Sequence, residues 1–350
     1  MPVLNGPALI ENRVQALRQA HLNAGIHRAE LDLSGGIDSA VMACLLVEAL
    51  GPENVTLAHT KINTSSDQTA KAVFLAKALN CPLAVGDFTG SFNVIMQELS
   101  RSLQGAGYDL TTIIARCDAD PTIAGSIRST LRAPLGRAYN RLTGGGIRHG
   151  TGNEDEDRFL RFYQKGGDGE VDSNPIEFLS KGEVYQLAFA FCQKSPDVAD
   201  ALYPIIAATP TPDLWGKPAV HSDESELASW LGAPFTYSRI SPLSGEYIKV
   251  GTIERINRFL DAYVVKFQDD NETMLFADKD PDWEVLTLRA NLSVGFYGTD
   301  IDRDTITALL KGARKAEAAT RHKMNPNIPA YGSREELLKA GILTNTLPVV

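Results

Sequence analysis

The segment Leu31-Asp-Leu-Ser34-Gly35-Gly36-Ile37-Asp38-Ser39 constrains this chain more than any other. An apolar strand runs into a two-glycine turn and directly into the apolar helix Ala40 to Leu50. Ser34, Gly35 and Gly36 leave backbone N–H groups unobstructed at that helix N-terminus, where the helix dipole favours an anion. Asp38 sets a carboxylate beside the resulting phosphate cradle, a natural position for Mg2+ carried by a nucleotide. The spacing differs from the GxxxxGK[ST] loop, and no other segment has that pattern.

Around this loop the chain alternates between two periodicities. Ile10, Val14, Leu17 and Leu22 give a helix over Ala8 to Asn23. Val55 to Ala58 and Leu83 to Val85 are short β-branched and apolar runs. Asp67 to Leu79 lies between them, with Ala70, Val73, Phe74 and Ala78 on one helical face. Short strands alternating with amphipathic helices mean βαβ units and a parallel sheet. A further strand is expected to end at Ile147-Arg-His149, delivering Gly150-Thr151-Gly152-Asn153. Ligands of such sheets bind beyond the carboxyl ends of the strands, where Ser34 to Ser39 falls.

Composition narrows the partners. The formal charge of −9 over 350 residues argues against non-specific nucleic-acid binding, which needs a basic face. With 43% hydrophobic and 22% charged residues the chain is of ordinary globular make-up. Cys44, Cys81, Cys117 and Cys192 form no CxxC pair and read as free thiols of a reducing compartment. The sequence starts without a basic-then-apolar leader and holds no apolar run of membrane length, so a cytoplasmic protein without a membrane partner is expected.

Two later constellations carry chemistry. Gly150-Thr-Gly-Asn-Glu154-Asp-Glu156-Asp157 is a strand-end turn opening a helix with four carboxylates, which the dipole alone would favour as a solvated acidic turn. The polar, glycine-rich stretch Lys165-Gly-Gly-Asp168-Gly-Glu-Val-Asp172 follows and suits a mobile lid over a charged ligand. Lys181 then opens the helix Gly182 to Phe191.

The set SGGIDS, GTGNEDED, QKGGDGEVDSNPI, TPTPDLW, DESEL and RHK occurs here in the order found in NAD synthetases. The loop itself resembles that of the N-type ATP pyrophosphatases, which cleave ATP between the α and β phosphates. The resemblance covers Ala29 to Leu231 and Asp302 to Pro329. It implies an α/β fold: a doubly wound, mostly parallel sheet flanked by helices, Rossmann-like and similar to the adenine nucleotide α-hydrolases. One domain is expected across 1–350, with an elaborated region at 239–300 that has no functional account at this level.

The resemblance also implies roles. Ser34, Gly35, Gly36, Ile37, Asp38 and Ser39 would cradle the phosphates of ATP, with Asp38 and Glu156 as Mg2+ ligands. Thr151, Lys181 and Thr211 match positions that contact ATP. Lys165 and Asp172 match positions that hold deamido-NAD. His322 and Lys323 match a pair that reaches the same dinucleotide, often from the second subunit of a homodimer. Three departures stand out. The substrate-binding Arg of the family falls in Ser126-Ile-Arg128-Ser-Thr-Leu-Arg132, so Arg128 and Arg132 compete for it. A common Arg after the second strand is absent, leaving Lys61 or Gln68 to contact ATP. Arg239 to Asp300 is longer than in small family members.

The implied reaction amidates deamido-NAD to NAD through an acyl-adenylate, releasing AMP and pyrophosphate. Lys165 and Lys181 could hold the phosphates or the attacking carboxylate, and Asp168 or Asp172 could deprotonate or orient ammonium. The stretch before Leu31 holds no Cys, so no N-terminal glutamine amidase domain is expected and ammonia is the nitrogen donor. The rival readings are another pyrophosphatase, such as a GMP synthetase-like amidator or a tRNA-thiolating enzyme, and a catalytically silent nucleotide-binding relative.

Overall fold

β1 (Ala29–Asp32) runs through the middle of a parallel sheet whose strand order is β3-β2-β1-β4, with β2 (Val55–Lys61), β3 (Leu83–Asp87) and β4 (Ile147–His149). The computed structural model describes residues 4–120, 122–211, 222–256, 287–288, 301–320, 323 and 332–343. Register sets Leu31 opposite Leu57 on one side and His149 on the other. The carboxyl ends of β1, β2 and β4 therefore finish at one edge. β2 extends three residues beyond the run read from the sequence, because His59, Thr60 and Lys61 continue to pair with Val85, Gly86 and Asp87.

Alternate residues of a strand face opposite sides. Ala29 and Leu31 join the main core with α1 (Gly6–Ala24), α2 (Ile37–Leu50), α3 (Ser66–Ala78), α7 (Lys181–Lys194) and α8 (Pro196–Ala207), through residues such as Leu17, Leu45, Leu75, Leu187 and Leu202. Glu30 faces the other way and is paired with Arg148 at 2.7 Å, both buried. The Arg148 guanidinium lies against Gly136, where a Cβ would sit 1.6 Å from its Nη1. Gly136 belongs to α6 (Thr122–Leu142), which contacts β1 and β2, so both faces of the sheet are covered and the doubly wound expectation holds.

Local signals explain the helix ends. Asn5 accepts from the Ala8 amide at 3.1 Å, and Gly25, at φ 64°, closes α1. Ser180 and Glu183 form a reciprocal capping box that starts α7 one residue before Lys181. α4 (Thr89–Gly105) and α5 (Leu110–Ala119) precede α6 between β3 and β4 and were not anticipated.

A second core lies beside the first. α9 (Asp223–Leu231), Phe235, Tyr237, Ile253 and Ile256 pack with Ile306, Leu309 and Leu310 of the helix Arg303–Thr320. β5 (Arg239–Ile240) and β6 (Tyr247–Lys249) form an antiparallel pair at the start of the elaborated region. Residues 257–286 and 289–300 of that region lie outside the described residues. Cys44, Cys81 and Cys192 are buried, Cys117 is half-buried, and all four are free. Among the described residues no helix is long and apolar enough to cross a membrane.

Candidate active site

The glycine loop is braced by its own hydroxyls. Ser34 Oγ lies 3.0 Å from Ser39 Oγ and accepts the Gly36 amide at 3.2 Å. Ser39 Oγ donates to the Gly36 carbonyl at 3.1 Å. Ser39 is buried and serves the turn, whereas Ser34 through Asp38 line a cavity of about 1170 Å3 at the carboxyl ends of the strands. The Gly36 amide, expected to be open, is turned toward Ser34. Gly35 adopts φ 91° beneath the Gln68 carbonyl, where a Cβ would stand 2.3 Å from that oxygen.

Asp38 opens α2 and meets residues far along the chain. Its Oδ2 accepts Lys181 Nζ at 2.6 Å, and its Oδ1 accepts Asn153 Nδ2 at 3.0 Å. Lys181 Nζ also donates to Glu156 Oε1 at 2.8 Å. Asp38 and Glu156, the two expected metal ligands, thus converge on a single point, and Lys181 stands between them with its side chain 3% exposed. Burial works against the Lys181 ammonium, but the Asp38 and Glu156 carboxylates hold its pKa well above the usual lysine range. The backbone amide of Lys181 donates to Asp155 Oδ2 at 2.9 Å, which fixes the start of α7.

Glu154–Leu160 forms a π-helical turn rather than an ordinary helix, and it is no solvated acidic turn. Glu154 and Asp155 are buried. Glu154 pairs with Arg334 at 3.3 Å, while Glu156 and Asp157 are half-buried. Burial pushes Asp155 and Asp157 well above the usual carboxylate range and Asp223 up to about 8. The site therefore carries more carboxylates than its own lysine balances. Mg2+ takes hard oxygen ligands, commonly one or two carboxylates completed by phosphates. Asp38 and Glu156 fit that donor set. No group of three or more His, Cys, Asp or Glu among the described residues forms a ready-made metal cage.

The other expected residues divide. Gln68, Thr151 and Thr211 line the cavity together with Arg132, Asp168 and Lys323. Lys61 does not line it and pairs with Asp87 at 3.2 Å. Arg132 makes no ion pair or hydrogen bond with the described residues. Arg128 is 1% exposed and donates to the Ile62 carbonyl, away from the cavity lining. Asp168 accepts Ser129 Oγ at 2.7 Å and the Gln164 amide at 2.8 Å, folding the loop against α6. Gly167 allows this approach, since a Cβ there would meet Ser129 Oγ at 2.6 Å. Lys165 is exposed and outside the cavity lining. Asp172 accepts Arg137 Nη1 at 2.8 Å and the Arg148 amide at 2.9 Å. Lys323 Nζ donates to the carbonyls of Arg161 and Tyr163, at 3.1 and 2.6 Å. His322 lies outside the described residues.

Three contributors were not assigned from the sequence. Asn153 lies inside the GTGNEDED run and Asp223 begins DESEL, so their motifs could have revealed them. Tyr237 donates to Glu156 Oε1 at 3.2 Å and belongs to no motif.

The family model for NAD synthase matches residues 9–240. The chain is 31% identical over 221 residues to the NH(3)-dependent NAD(+) synthetase of Methanosarcina acetivorans, covering 62% of this chain and 75% of that protein. It is 31% identical over 204 residues to the enzyme of the same name from Methanococcoides burtonii, covering 58% and 67%. Among solved structures it resembles the NMN synthetase of Francisella tularensis with TM-score 0.54 and 20% identity, over 86% of this chain and 99% of that one. The glutamine-dependent NAD(+) synthetase of Cytophaga hutchinsonii aligns with TM-score 0.62 and 13% identity, over 93% and 50%. At those identities the structural likeness speaks to fold.

Proposed function

The chain belongs to the NAD synthase family, ligases that form a C–N bond, and on that premise we propose that it amidates deamido-NAD to NAD with ATP and free ammonia. The observation that carries this reading is the convergence of Asp38 and Glu156 on Lys181 Nζ beside the Ser34–Asp38 loop.

A carboxylate does not react with ammonia, because hydroxide is too poor a leaving group. A carboxylate oxygen of the substrate attacks the α-phosphorus of ATP, the bond from that phosphorus to the bridging oxygen breaks, and pyrophosphate leaves. The acyl-adenylate then takes ammonia at its acyl carbon, the bond to the AMP oxygen breaks, and the nitrogen loses one proton. The first step brings two anions together, so the site must supply positive charge.

Each residue's part follows from its place. The loop and the N-terminus of α2 receive the phosphates. Asp38 and Glu156 would hold Mg2+, which when bound offsets phosphate charge and favours departure of pyrophosphate. Lys181 holds both carboxylates aimed at one point. Arg132, unpaired within the described structure, receives an anionic group of the dinucleotide. Asp168, at the cavity wall, takes one proton from ammonium so that neutral ammonia reaches the acyl carbon. Gln164, Asp168 and Val171 bring the loop onto the cavity, where closure would shield the hydrolysable adenylate. A homodimer, as the resemblance implies, belongs to the same proposal.

Purified protein given deamido-NAD, ATP, Mg2+ and ammonium is expected to yield NAD, AMP and pyrophosphate in equal amounts. ADP and phosphate as products would overturn the mechanism. No NAD from either ammonium or glutamine would favour a silent nucleotide-binding protein.

A further inference from the structure

Tyr237 sits where Glu156 and Lys181 meet. It is 1% exposed, its hydroxyl donates to Glu156 Oε1 at 3.2 Å, and its ring centroid lies 5.2 Å from Lys181 Nζ, within cation–π range. The same Glu156 oxygen accepts Lys181 at 2.8 Å, so two donors from different elements fix one carboxylate.

The position of Tyr237 is set by residues around and beyond the end of the family match at 240. Its amide donates to Glu224 Oε1 at 2.9 Å, and its ring stands edge-on to Phe235 with centroids 4.9 Å apart. The Thr236 amide donates to Thr252 Oγ1 at 2.9 Å, and the Thr252 amide returns to Thr236 Oγ1 at 3.2 Å. Gly251 permits that approach, since a Cβ there would fall 2.4 Å from the Ser238 nitrogen. Glu254, 1% exposed, accepts Ser238 Oγ and also Ser180 Oγ, the latter at 2.8 Å. Ser180 is the N-cap residue immediately before Lys181. One buried carboxylate thus ties the segment that carries Tyr237 into β5 to the helix that presents Lys181.

We infer that Tyr237 is a positioning residue that aligns Glu156 with Lys181, and that residues 236–254 are the brace that sets it. This gives the start of the elaborated region a purpose, and it rests on the amidation reading above.

The test compares wild type with Tyr237→Phe, which keeps the ring, and Glu254→Gln, which keeps the shape of the brace. Tyr237→Phe is expected to lower kcat about tenfold, the equivalent of one hydrogen bond to a charged group, with KM for ATP within about threefold of wild type. Its melting temperature should stay at the wild-type value. By calorimetric titration of ATP, the Mg2+ concentration needed for half-maximal binding is expected to rise several-fold. Glu254→Gln should show the same pattern alongside some loss of melting temperature. Wild-type kcat and wild-type Mg2+ requirement in Tyr237→Phe would overturn the inference, as would a loss that merely tracks a lowered melting temperature. If the wild type makes no NAD, the amidation reading fails on its own, and the inference is then decided by the Mg2+ requirement for ATP binding.

Discussion

Asp38 Oδ2 and Lys181 Nζ lie 2.6 Å apart although 143 positions separate them in the chain. One opens the helix after β1 and the other opens α7, so the contact joins two helix N-termini through opposite charges. Lys181→Met would leave Asp38 and Glu156 facing each other without a cation. Breaking a buried pair in this way costs about 3–5 kcal/mol of stability. Turnover should fall at least ~100-fold, the order of one lost electrostatic contact to developing charge. The double variant Lys181→Met with Asp38→Asn is expected to recover part of the stability and none of the activity. Urea unfolding midpoints and steady-state rates check both halves.

Arg132 and Arg128, equivalent on paper, should separate cleanly. Lys at position 132 keeps the charge but loses the planar fork, so Arg132→Lys is expected to raise KM for deamido-NAD about tenfold and leave KM for ATP unchanged. Arg128→Ala removes a buried donor from the Ile62 carbonyl and should cost about 1–3 kcal/mol of stability instead. A large rise in substrate KM for Arg128→Ala with unaltered melting would reverse the assignment.

The glycine loop, the strands around it and the start of α7 were legible from local patterns: short β-branched and apolar runs, a turn that requires glycine, and a helical stretch opened by Lys181. α4 and α5 were not. α4 carries Phe92, Ile95, Met96, Leu99 and Leu103 at helical spacing yet buries only Phe92, and α5 buries nothing, so their apolar faces do not mark the core. Taken alone, the 154–157 turn left a solvated acidic turn as open as a functional one, because the partner of Glu154, Arg334, is 180 positions away. Asp172 matched a substrate-binding position, yet here it holds Arg137 and the Arg148 amide. Long-range pairing of this kind leaves no trace in spacing. Tyr237 is the sharpest case, since its meaning comes wholly from what Glu156 and Lys181 do around it.

Gly35 offers a test of the loop by steric means alone. Gly35→Ala would set a Cβ 2.3 Å from the Gln68 carbonyl at a φ of 91°, against backbone that opens the next helix. The strain is worth about 1–3 kcal/mol, and ATP binding by calorimetry should be lost. Gly90→Ala on α4, where a Cβ meets nothing within 4 Å, serves as the control and should bind ATP as wild type does.

His149, the last residue of β4, gives the fold an acid limit. His21 Nδ1 lies 2.8 Å from the Ile26 carbonyl, which makes that nitrogen the donor, so His21 Nε2 accepts from His149 Nε2 at 3.1 Å. His149 Nδ1 is buried with no partner among the described residues. Protonating the pair would set two N–H groups against each other in the interior. Burial first, then the His21 ring, lowers the His149 pKa to about 3 from an ordinary 6.5. The unfolded chain therefore binds a proton that the folded chain refuses, and stability present above pH 6.5 is lost progressively as pH falls toward 3. At full development the loss is about 5 kcal/mol at most. His149→Asn removes the titrating ring. Its melting temperature should fall less steeply than that of wild type between pH 6.5 and 4, even if it starts lower at pH 7. Parallel slopes for the two proteins over that range would show that His149 does not set the acid limit.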